Sequence, residues 1–171
     1  MNIRLKSILA ATVALLTLLP TIKAQEPAKT PAHDMSGMEE MNKRGDKVMG
    51  FDHTKTTHHF ILSRDGGAIE VNANEAADSA SRAEIRTHLR HIAMMFAAGN
   101  FKAPILIHEQ DPPGAATMQQ LKNAIKYQFE KTDRGGRVRI WTKNTQARAA
   151  IHEFLRFQIK EHQTGDPLKI K

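Results

Sequence analysis

The chain has 171 residues, with 25 Lys and Arg against 18 Asp and Glu, a formal charge of +7, and 40% hydrophobic residues. That length suits one domain with a core of its own. Nine histidines and eight methionines accompany no cysteine at all, which excludes disulfides, thiolate metal sites, a lipid-anchored cysteine and covalent c-type haem attachment.

At the N-terminus, Arg4 and Lys6 precede an apolar run from Ile8 to Leu19, broken by Pro20 and followed by a cleavable Ala24. This is the layout of a secretory signal peptide over residues 1–24. The run is short for a bilayer span, which takes about 20 apolar residues. Export would place the mature chain in the periplasm or outside the cell, with no membrane attachment after signal removal. Loss of Arg4, Lys6 and Lys23 would leave it at +4. A basic domain invites a nucleic-acid reading, but an exported protein rarely meets nucleic acid, and "RGGRVRI" is better explained as a hairpin turn.

Residues 25–52 are rich in Pro, Lys, Gly and acidic residues without an apolar period, and are expected to form an unstructured tail. Within them lies "HDMSGMEEM", His33 to Met41. Met35, Met38 and Met41 are spaced by three, which suits either soft thioether ligation of Cu(I) or the start of a helix. The folded domain is expected over 53–171.

"TTHHFILSRDGGAIEV" reads as two strands around a turn. Asp78 and Ser79 are candidate caps for a long helix ending at Gly99, with Ile85, Leu89, Ile92 and Phe96 as its apolar stripe. "FKAPILIHEQDPPG" reads as irregular, and "GAATMQQLKNAI" as a shorter helix. Strand, Gly-Gly turn, strand and long helix then recur from Lys126 to Asp166. "RAEIRTHLRHIAMMFAAGN" aligns without gaps to "RAAIHEFLRFQIKEHQTGD", with six identical pairs. The expected fold is therefore α+β: two duplicated ββα units forming a four-stranded antiparallel sheet with the long helices on one face.

The alternation of strand side chains turns His58 inward and His59 outward. A turn at Asp65-Gly66 would pair Leu62 with Ile69, Phe60 with Val71 and His58 with Ala73. On the first long helix, His88, His91 and Met95 flank the buried stripe, at positions where the second helix has Phe154, Phe157 and Glu161. Imidazoles in place of aromatic packing are costly unless their nitrogens find partners. A helical pair with a third histidine from elsewhere is a usual way to hold Zn or Cu. The candidate ligands are His58, His88, His91 and His108, with Met95 as a soft neighbour and His33, Met35, Met38 and Met41 in the tail. His152 and His162 read as structural.

The stretch from "MGFDHTKTTHHF" to "FLRFQIKEHQTGDP", with "IRTHLRHI", "DPPG" and "GGRVRI" within it, resembles a family of small exported bacterial proteins. Members sometimes carry the label aspartate carbamoyltransferase. That label implies a Ser-Thr-Arg-Thr phosphate loop, and no such string occurs here. The resemblance supports the domain limits and implies no mechanism.

These features favour an exported metal-binding protein, a carrier or buffer for copper, with zinc as the other candidate ion. The alternatives are a hydrolase using the same histidines, with or without a metal, and a metal-free module that binds or dimerises through the outer sheet face around His59, Ile61, Glu70, Gln128, Arg139 and Trp141. No G-x-S-x-G or H-E-x-x-H string supports the enzyme.

Overall fold

The computed structural model describes residues 35–170. Residues 1–34, which include the expected signal peptide and His33, lie outside that range. The described chain is α+β. Its sheet consists of β1 (Thr56–Ser63), β2 (Gly66–Ala73), β3 (Ile125–Thr132) and β4 (Gly135–Thr142), antiparallel throughout in the order β1-β2-β4-β3. The helices are α1 (Met35–Met49), α2 (Ser79–Ala97), α3 (Lys102–His108), α4 (Ala115–Gln120) and α5 (Thr145–Glu161), with single 3-10 turns at His53–Lys55 and Lys122–Ala124. None of the described helices is long and apolar enough to cross a membrane.

Local chemistry sets the long helices. Asp78 caps α2 by accepting from Ser81 N, and Asn144 caps α5 by accepting from Ala147 N, so each satisfies an amide the helix leaves open. Both helices lay their apolar stripes on one face of the sheet. Ile85, Leu89 and Phe96 from α2 join Ile151, Phe154 and Leu155 from α5 in a core with Val71, Val138 and Ile140. The helices cross over: α2 packs chiefly on β3 and β4, and α5 on β1 and β2.

Two glycines make the crossing close. A Cβ at Gly67 would stand 2.3 Å from Leu155 Cδ1, and one at Gly136 3.3 Å from Leu89 Cδ1. Leu89 and Leu155 are aligned residues of the two helices, and each rests on the glycine of the other half's hairpin. The arrangement agrees loosely with two ββα units. The third helix and the fourth, inserted between the halves, break the correspondence.

Three expectations are corrected. The segment expected as an unstructured tail is helical from Met35 to Met49. Its stripe of Met38, Met41, Val48 and Met49 follows a helical period, with Met41 buried, and Arg44 Nε donates to Ile107 O at 2.9 Å. The connector expected to be irregular contains α3. Pro104 lies in its first turn, where a missing amide costs nothing. The first hairpin turns at Arg64-Asp65, pairing Phe60 with Ile69, His58 with Val71 and Thr56 with Ala73. This shifts the pairing by two residues, an even step, so the faces of the strands are unchanged.

Candidate metal centre

His58 comes from β1, His88 from α2, His108 from the end of α3, and His162 from the cap just beyond α5. All four line one cavity of about 60 Å³ beneath the sheet face, together with Met49, Gln158 and apolar walls that include Phe60, Val71, Leu89 and Ile107. The ring centres of His58 and His162 are 5.5 Å apart, and those of His108 and His162 are 5.0 Å apart. His162 is therefore the middle of a row. Phe51 packs against both His58 and His88, at 5.9 and 5.5 Å, and sets His88 apart from that row.

The rings are held uncharged. Burial first, then the charges of His88 and His59, pushes His58 down to about 4. Burial, with His91 nearby, pushes His88 down to about 4. His162 is driven well below the ordinary imidazole range by burial, then by His58 and His108. His108 is lowered by burial, against the opposing influence of Gln158 and Glu161. An uncharged imidazole keeps a lone pair on one nitrogen and needs no proton removed before it can ligate.

Hydrogen bonding leaves these lone pairs available. Among the described residues, the half-buried rings of His58, His88 and His162 have no protein hydrogen-bond partner, and none of their nitrogens is both fully buried and unsatisfied. His108 lies 3.1 Å from Gln158 through Nε2, while its Nδ1 is buried without a hydrogen bond, 3.8 Å from Glu161 Oε2. With Nε2 donating to Gln158 Oε1, His108 Nδ1 carries the free lone pair. By contrast His53, His59 and His152 are engaged: by Asp46, by Asp166 at 3.0 Å, and by Ser63 O at 2.9 Å respectively.

The expected ligand set is thus partly assembled. His58, His88 and His108 reach the cavity. His91 does not line it and is exposed on α2. Met95 packs at the edge of the core rather than on the cavity. Met38 and Met41 belong to α1, and of Met35 only the backbone is described. His162, read from sequence as structural, is central. The signal that finds it is its alignment with Phe96, a fully buried residue. His152 aligns with half-buried Arg86 and is itself buried, bonded to Ser63 O at 2.9 Å.

At the other end of the sheet the corresponding positions are aromatic. His58 is the third residue of β1, and Tyr127 is the third residue of β3. The helix alignment pairs His162 with Phe96 and His88 with Phe154. Phe96 packs on Tyr127 at 6.0 Å, the counterpart of the His162–His58 pair.

Metal–nitrogen bonds of about 2.0–2.1 Å place the ring centres of two imidazoles on one tetrahedral ion about 5 Å apart. The two spacings in the row match. The nitrogens are not yet gathered, however. Among the described histidines and acids, only Asp46, Asp52 and His53 have ligand atoms all within 4.8 Å of one another. Those three are occupied locally. Asp46 accepts from the backbone and the ring of His53, and Asp52 accepts from Thr54 N and Oγ1.

A second, larger recess of about 320 Å³ lies outside the cavity, between α1, the start of β1 and the end of α5. Compared with known proteins, the chain matches no family model, no curated protein and no solved structure.

Proposed function

We propose that this is an exported metal-binding protein, a carrier or buffer that favours copper as Cu(I), held by His58, His108 and His162 with His88 and Met49 at hand. The observation that carries this reading is the convergence of four uncharged imidazoles and a thioether on one small apolar cavity. The size argues for an ion over an organic substrate, because organic ligands occupy pockets of about 300–1,000 Å³, and the inner cavity measures about 60 Å³. The ligand set argues for low charge. Glu161 Oε2 stands 3.8 Å from His108 Nδ1, but no carboxylate lines the cavity, and the Born cost of burying an ion rises with the square of its charge, about fourfold from monovalent to divalent. Neutral nitrogen and sulfur donors suit Cu(I). Zinc and Cu(II) are the competitors.

The test is equilibrium titration of the untagged protein with Cu(I), Cu(II) and Zn(II). One Cu(I) should bind per chain, with affinity falling at least about 100-fold in His162→Phe and His58→Ala and unchanged in His91→Ala. Equal binding by the wild type and His162→Phe refutes the site.

A further inference from the structure

The inner cavity and the outer recess share four residues, Met49, His58, Ile107 and His162. Met49 is the methionine that lines both. Met41, 6% exposed, lines the recess alone. Met41, Gly45 and Met49 follow one another at four-residue steps, so they share one face of α1. The two methionines are two turns apart, about 12 Å of helix rise, which suits successive ligation better than one chelate. Gly45 lies between them, buried against the recess. Glycine in a helix interior is unfavourable relative to alanine, and here it leaves room that a side chain would fill: a Cβ would stand 3.1 Å from Met49 Cε.

We propose that the recess is the entrance for the ion, and that Met41 and then Met49 ligate a soft monovalent cation and pass it to His58 and His162. This rests on the metal reading of the inner cavity and adds a route and a selectivity to it. Each step is ligand exchange at constant oxidation state. The bond from Cu(I) to its delivering ligand breaks as a bond to Met41 sulfur forms; that bond breaks as the ion moves along the recess to Met49 sulfur, and the Met49 bond in turn gives way to imidazole nitrogen. Thioethers are poor ligands for harder cations, so Met41 and Met49 would favour Cu(I) over Zn(II) on the way in, although His58 and His162 also line the recess.

The experiment measures uptake rates by stopped flow. Cu(I) is supplied without oxygen from a weak chromogenic chelator, Ag(I) serves as a redox-inert probe, and Zn(II) is the comparison. Met→Leu changes conserve volume, and circular dichroism checks the fold. Met49→Leu should slow Cu(I) and Ag(I) uptake at least about tenfold, and Met41→Leu/Met49→Leu further, with the stoichiometry still one ion. Zn(II) uptake should change less than about twofold. Met94→Leu, on the exposed side of α2, should change nothing. Gly45→Ala, which crowds Met49, should slow all three ions. Cu(I) uptake at the wild-type rate in the double variant overturns the entrance and leaves the cavity reading standing. A wild-type protein that takes up no ion overturns both.

Discussion

His162 occupies the place that Phe96 holds in the other half, and the exchange is unfavourable for packing. A phenyl ring there would fill apolar space, whereas the imidazole brings two nitrogens that find no partner among the described residues. Residues retained against stability mark sites where function constrains the choice. His162→Phe should therefore raise the stability of the metal-free protein by about 0.5–2 kcal/mol, seen as a higher Tm, while weakening Cu(I) binding. A fall in Tm would mean the imidazole is a packing residue. The same scale explains why one histidine of the expected pair failed to reach the site. Stepping about 100° per residue, His88 lies about 70° from the centre of the Ile85-Leu89-Ile92-Phe96 stripe, Met95 about 90° and His91 about 130°. The observed burial follows that order: His88 on the cavity, Met95 at the core edge, His91 exposed. The inward turn of His58 was legible from alternation alone, and survived an incorrect turn assignment because the error was even-numbered.

Elements with strong periods and side-chain caps were legible. Strands β1 to β4 and helices α2 and α5 have alternation or stripes, with Asp78 marking the start of α2. Helices α1 and α3 were not. In α1 the apolar positions are methionines, whose even spacing reads as ligand chemistry as readily as amphipathicity. In α3, seven residues carry a proline, and tertiary contact with α1 supplies what local propensity does not. The hairpin glycines are a further element-level feature. They follow each turn and read as turn residues, yet Gly67 and Gly136 lie inside strands beneath a leucine of the crossing helix. Gly67→Ala would drive a methyl against Ile61 O as well as Leu155. We expect it to destabilise the protein by about 1–3 kcal/mol, the cost of overpacking, measurable as a lower denaturation midpoint in urea. A neutral result would mean that α5 is free to lift from β2.

At the scale of the molecule, the half-buried histidines of the cavity tie stability to acidity. In the metal-free protein, His58 and His88 titrate at about 4 when folded, against 6.5 for the free side chain. Between those values the unfolded chain binds protons that the folded one does not, so stability rises with pH across that interval. It is fully present above pH 6.5 and is lost as pH falls towards 4. Urea midpoints taken from pH 7.5 down to pH 4.5 should decline, and the decline should be shallower in His58→Tyr. A midpoint flat over that range would place these imidazoles in water.

The crossed helices carry a consequence for the order of events during synthesis. Helix α2 rests mainly on strands that come after it in the chain, and α5 returns to strands that come before it. Neither half can therefore complete its own hydrophobic layer as it leaves the ribosome. Most of the helical cover of β1 and β2 arrives with α5, after all four strands. Cooperative closure must wait for that helix, and His162 follows just beyond it. A nascent chain halted after β4 should accordingly remain open to protease, whereas one extended past His162 should not.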